Sequence, residues 1–239
     1  MNAITPNLEA TIEILKSARI LANYAKEQGL EVDGHQYRPT YDHMGAILAD
    51  SVLQAGLNYT TVVKPRVLAI LNTYSEMKST CELARLLQQD GPQKILNWTH
   101  STKLSRFENL VSYMLNNDIH TASDLKNKLM KDDFCSDLQS LNGIGPKTVD
   151  YMKCLVGIDS IAVDRHIRSF AKSAGIENSD YTFLKDVFCS AADLLTISRR
   201  GFDSWVWRTL SVQTSPPTIS FLTHASNSKL KVKTLESFK

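Results

Sequence analysis

The chain has 239 residues, 43% apolar and 22% charged, which suits one large domain or two closely packed subdomains with a sizeable core. No apolar run approaches the roughly 18 residues a membrane span needs, and the opening MNAITPNLEATIEIL lacks the pattern of a secretory signal, so an intracellular protein is expected. A net charge of +2 neither requires nor excludes a polyanionic partner, which needs a local basic surface rather than a basic whole.

Over residues 7–28 the apolar Leu8, Ile12, Leu15, Ile20 and Ala22 recur at helical spacing, and Gly29 stops that helix. Residues 31–39, with Gly34 and Pro39, read as a loop. The next helix, 41–55, is strongly apolar through Met44, Ile47, Leu48, Val52 and Leu53. Pro65 then opens another in its favoured first-turn position. Further short helices are expected at 79–89, 92–98, 103–116 and 122–130, the last capped by Thr121 or Ser123. Helices at 180–196 and 202–212 complete the set. No segment alternates with period two between hairpin turns, so the expected fold class is all-α. From Pro216 the periodicity dissolves into a basic tail with Lys229, Lys231, Lys233 and Lys239, either poorly ordered or a tether to nucleic acid. Cys81, Cys135, Cys154 and Cys189 are scattered and form no C-x-x-C pair. That argues against a disulfide framework and against zinc or iron–sulfur ligation, and buried reduced thiols are expected.

The most informative stretch is 138–174, LQSLNGIGPKTVDYMKCLVGIDSIAVDRHIRSFAKSA, which reads as helix, tight turn, helix, link, helix. Gly143 and Gly145 permit the reversal. Pro146 sets the following helix and leaves amides near Gly145 and Lys147 without intrahelical partners, an arrangement that attracts phosphate. No strand precedes the turn and no third glycine follows, which disfavours a dinucleotide fold. Lys147 in a first helical turn either faces phosphate or, with its pKa lowered by the helix dipole and partial burial, supplies a neutral amine able to form a Schiff base. Asp164, ahead of Arg165-His166-Ile167, reads as an N-cap, a role that still lets its carboxylate face a cleft.

LNGIGPKTVDYM…SIAVDRHIRSF closely resembles the helix–hairpin–helix plus Gly/Pro-Asp signature of the DNA base-excision glycosylases, the relatives of endonuclease III and 8-oxoguanine DNA glycosylase. L-x-G-x-G-x-K-T followed by A-V-D-x-H-I carries the resemblance, with Ala162-Val163 where the proline element would stand. Ser105-Arg106-Phe107-Glu108-Asn109 looks like the S-K-x-E-N segment of that family, and Leu53-Gln54-Ala55 like its glutamine-inserting loop. Trp205-Val206-Trp207 falls in the expected C-terminal helix, and the resemblance spans roughly 41–212.

The resemblance implies two helical subdomains around an active-site cleft. Residues 36–159 would form a six-helix-barrel-like unit ending in the hairpin at 138–155, and 1–35 plus 160–215 the second, with 216–239 as tail. It makes Lys147 the nucleophile that attacks C1′ and expels the base, the Schiff base then permitting β-elimination, and Asp164 the carboxylate that assists it. Gly143, Gly145, Thr148, His166, Arg165 and Arg168 would bind DNA, and Gln54 would fill the gap left by the flipped base. Tyr151, on the Lys147 face of its helix, lines the base pocket or packs in the core; Trp205 and Trp207 are expected in the core. The carbonyls of Gln139, Leu141 and Ile144 would hold a monovalent cation. No cysteine follows Cys189, so the four-cysteine iron–sulfur cluster of the endonuclease III branch is not expected, and substrate preference does not carry over. The expected partner is double-stranded DNA with a damaged base or abasic site, bound by a monomer in the cytoplasm and nucleoid of a prokaryote or the nucleus of a eukaryote. The rival readings are a monofunctional glycosylase, with Asp164 activating water, and a non-catalytic helix–hairpin–helix DNA-binding protein.

Overall fold

A computed structural model describes residues 8–31, 40–75 and 78–213, so nearly all of the 31–39 loop and the whole basic tail lie outside the described residues. The regular elements are helical: α1 Leu8–Glu27, α2 Met44–Leu53, a π-helical turn Tyr59–Val63, α3 Lys64–Thr73, α4 Thr80–Leu96, α5 Ser101–Asn116, α6 Ala122–Leu129, α7 Asp132–Leu138, α8 Pro146–Leu155, α9 Arg165–Ser173, α10 Tyr181–Leu194 and α11 Arg199–Gln213. No strand occurs among the described residues, and none of their helices is long and apolar enough to cross a membrane.

Local chemistry sets several boundaries. α2 starts at Met44 because His43 caps it: Nδ1 accepts from the Ala46 N–H at 3.1 Å while Nε2 donates to the Tyr74 carbonyl at 2.8 Å. α6 starts at a capping box between Thr121 and Asp124. The helices expected at 79–89 and 92–98 run as one element, α4, kinked at Gly91, whose φ is 75°. The helix expected before the turn of 138–174 lies earlier than that stretch: α7 ends at Leu138, and residues 139–145 form the reversal.

The buried face of α1 differs from the one its apolar spacing suggested. Leu8, Ile12, Leu15 and Ile20 are exposed, while Ala18, Leu21, Ala22 and Ala25 are buried. α1 packs mainly on α10, whose Val187 and Phe188 supply the bulk. Alanine weighs little in a hydropathy pattern, but its small side chain lets the two helix axes approach closely.

Two hydrophobic clusters result. One gathers α2 to α8 around Met44, Phe107 and Leu110, and the other gathers α1 and α9 to α11 around Phe170, Phe188 and Phe202. A buried polar knot joins them at Asp150 of α8. Its carboxylate accepts from the Lys185 ammonium at 2.7 Å, the Tyr181 hydroxyl at 2.8 Å and the Ser160 hydroxyl at 3.2 Å. Cys135 and Cys154 are buried as expected and Cys189 is partly so. Cys81 is exposed, correcting that expectation: it lies in the first turn of α4 on the side away from buried Thr80 and Leu83, with Sγ 3.3 Å from His120 Nδ1.

Candidate active site

Beyond α7 the chain reverses through residues 139–145. The Leu141 carbonyl accepts from the Ile144 N–H at 3.0 Å, and buried Ile144 anchors the turn in the first cluster. Gly143 takes φ +83°, and a Cβ there would lie 2.1 Å from Arg106 Nε of α5. The positive φ favours glycine there, and a side chain would also have to displace the end of Arg106. Gly145 is extended, with nothing within 4 Å of an added Cβ. Pro146 begins α8, whose N-terminus has no side-chain cap. Thr148 is buried, and its N–H donates to the Gly145 carbonyl at 2.9 Å, so neither its side chain nor its amide is presented at the surface of the turn.

Lys147 is half-buried, and its ammonium donates to Oε1 of Gln54 at the C-terminus of α2. Burial pulls its pKa down, the carboxylates of Asp164 and Asp203 push it back up, and Arg165 adds to the lowering. Asp164 caps α9, with Oδ1 accepting from His166 N–H at 2.8 Å and Ile167 N–H at 3.0 Å. Asp203 of α11 is buried and accepts from the Ala162 N–H at 2.9 Å. Each carboxylate is thereby fixed by main-chain donors while its charge reaches Lys147.

Lys103 of α5 is a second perturbed amine. It donates to the carbonyls of Val52 at 2.6 Å and Ala55 at 2.8 Å, closing the C-terminal end of α2. Burial, reinforced by Arg106 and Lys147, pulls it down to about 8. His166 is buried; burial lowers its pKa against the opposing pull of Asp164, with Arg165 and Lys147 adding to the lowering, so its neutral form is favoured. Arg165 is exposed. Arg168 directs its guanidinium to the Ser179 carbonyl, on the link between α9 and α10.

Asp50 is the polar residue at the centre of α2, fully buried in a helix buried along its whole length. Oδ1 accepts from the Tyr151 hydroxyl at 3.0 Å, and Oδ2 from the hydroxyls of Tyr41 and Tyr59 at 3.3 Å each. Tyr151 is thus one of three phenols on a buried carboxylate. Burial first, then the Asp50 charge, pushes the Tyr41 and Tyr59 hydroxyls up. The Tyr59 ring meets Trp207 edge-on at 5.6 Å, and Trp207 meets His166 at 6.1 Å. Trp205 is buried in the second cluster, whereas Trp207 is half-buried where the two clusters meet.

The structure therefore gathers Gln54, Asp164, Arg165 and His166 around the Lys147 amine, and leaves Thr148 buried and Arg168 on the Ser179 carbonyl. Sequence reasoning missed Asp203, Lys103 and Asp50. An acidic residue inside an apolar run, as in GFDSWVW and AILADSVL, was the available signal for two of them. Among the described residues no group of three or more His, Cys, Asp or Glu could hold a metal ion. Comparison of the chain with protein-family models, with curated proteins and with solved structures returns no match.

Proposed function

We propose that this chain is a base-excision DNA glycosylase with AP-lyase activity, of the helix–hairpin–helix and Gly/Pro-Asp type, working in a cleft between two helical lobes. The observation that carries the reading is the setting of Lys147: a half-buried amine of lowered pKa, close to two fixed carboxylates, in the first turn of the helix that Pro146 opens after the G-I-G turn. An amine held below the ordinary lysine range has a larger neutral, nucleophilic fraction near neutral pH. It attacks C1′, the glycosidic bond breaks, and the base departs with the bonding electrons. The aminal so formed loses the proton on nitrogen and opens at C1′–O4′, the ring oxygen leaving as the protonated 4′-hydroxyl, to give the imine. The imine acidifies C2′, and loss of a C2′ proton expels the 3′ phosphate. Asp164 stabilises the positive charge that develops at the sugar.

In this reading the uncapped N-terminus of α8, beside Gly143 and Gly145, takes a phosphate. Arg165 is the exposed cation next to it, and Gln54 supplies the side chain that enters the duplex. The carbonyls of Gln139, Leu141 and Ile144 are neutral oxygen donors that suit a monovalent cation at the turn; Leu141 already uses one lone pair on Ile144.

Borohydride reduction in the presence of DNA containing an abasic site tests the proposal. The wild-type chain becomes covalently attached and Lys147→Ala does not. Asp164→Asn slows attachment by about a hundredfold, in line with removal of one preorganised electrostatic group. An undiminished adduct with Lys147→Ala would sink the mechanism. Base release without strand cleavage would assign Lys147 to DNA binding alone.

A further inference from the structure

The contact between Lys147 and Gln54 joins a candidate nucleophile to a side chain on a different element. We propose that Gln54 is a positioning residue that latches Lys147 in a protonated resting state, and that the amine becomes reactive when the Gln54 side chain leaves. The inference rests on the reading of Lys147 as the amine nucleophile.

The base of the latch is rigid and its arm is not. Gln54 follows directly on α2, every residue of which is buried, and its main-chain N–H closes the helix on the Asp50 carbonyl at 2.9 Å. Lys103 clamps the neighbouring carbonyls of Val52 and Ala55. The side chain itself is half-buried, and its amide nitrogen makes only a long 3.3 Å contact with the Ser51 carbonyl. The amide can therefore turn away while the helix end stays in place.

The groups facing Lys147 come from three other elements: Asp164, Arg165 and His166 of the α9 end, Asp203 of α11, and Lys103 of α5. The two carboxylates are held by main-chain N–H groups, and the neighbouring cations disfavour the ammonium. The Gln54 oxygen is the neutral, movable acceptor on the ammonium. A hydrogen bond to the charged form favours that form, so withdrawal of the amide raises the neutral fraction of the amine, the proton passing to solvent. Entry of Gln54 into a duplex would then free the nucleophile in the same movement that fills the gap left by the base.

Reductive methylation of the full-length protein, without DNA, reads the latch directly. The neutral amine condenses with formaldehyde, losing water, and cyanoborohydride delivers hydride to the imine to give the methylamine. Peptide mass spectrometry follows Lys147, with exposed Lys16 as internal reference. In Gln54→Ala, Lys147 is methylated about fivefold faster than in wild type, the shift produced by removing one modest hydrogen bond. In Gln54→Glu, where a carboxylate grips the ammonium more strongly, it is methylated more slowly. Gln54→Asn, too short to reach, behaves as alanine does and replaces it if the alanine variant folds poorly. A merely structural role would loosen the site in every variant and speed them all. Any pattern other than acceleration on shortening with slowing in Gln54→Glu overturns the latch. Because no DNA is present, the outcome is separate from abasic-site trapping, which tests the proposed reaction itself.

Discussion

Gly143 and Gly145 look equivalent as letters in G-I-G, but their surroundings separate them. Gly143 combines φ +83° with a guanidinium in the space of a Cβ, so Gly143→Ala lowers stability by about 2 kcal/mol through left-handed strain and displacement of Arg106. Gly145→Ala has room and an extended backbone, and leaves the unfolding free energy within about 0.5 kcal/mol of wild type. Urea titration of the two variants checks this; equal destabilisation would place the turn's requirement elsewhere. Lys147 has its own signature. Burial, its largest influence, lowers its pKa, and the neutral form reacts, so abasic-site trapping rises with pH and reaches its midpoint below the ordinary lysine value. Asp203→Asn removes a charge that favours the ammonium and shifts the profile to lower pH; a shift upward would overturn the assignment. Lys147 and Asp164 were legible because each belongs to a local pattern, a helix start after a glycine turn and a cap. Asp203 and Lys103 reach the same place only through packing, which local sequence does not encode.

At the scale of elements, caps and helical spacing located most of the helices, while two features depended on partners the pattern cannot see. The first helix of the hairpin, α7, was expected but placed too late, because seven residues are too few for periodicity to fix its bounds. α1 buries alanines because α10 comes close, and strands its leucines and isoleucines on the outside. The join between α8 and α10 was likewise invisible, since Asp150 and Lys185 meet only after both clusters form. Their pair is 2.7 Å long, with the Asp150 side chain 4% exposed. When Lys185 is lost Asp150 keeps the Tyr181 and Ser160 hydroxyls and the Lys153 ammonium at 4.0 Å, so Lys185→Met costs about 2 kcal/mol, the loss of one charge-assisted hydrogen bond. Converting both, in Asp150→Leu with Lys185→Met, costs less than the sum of the single changes. A double-mutant cycle by urea unfolding gives the coupling; additive costs would mean the pair is not what holds α8 to α10.

For the molecule as a whole, the candidate site draws on both hydrophobic clusters: Gln54, Tyr59 and Lys147 from elements of the first, Asp164, His166, Asp203 and Trp207 from elements of the second. Such a site exists only when the clusters are joined, which is why composition said so little about it. A net charge of +2 gives weak overall attraction for a polyanion, yet Lys103, Arg106, Lys147 and Arg165 gather around the hairpin and the start of α9. On the proposed function, affinity for DNA is therefore local and salt-dependent. Arg165 is exposed beside Lys147, so Arg165→Ala weakens binding equally across sequences and lowers the slope of log affinity against log salt by about 1, because one fewer phosphate is neutralised and one fewer counterion released. Lys94, paired with Asp90 at 2.9 Å on α4, serves as the comparison, and Lys94→Ala leaves the slope unchanged. Fluorescence anisotropy over a salt series measures both. If the two substitutions change the slope alike, binding is a property of diffuse charge, and the hairpin with the start of α9 is not the DNA surface.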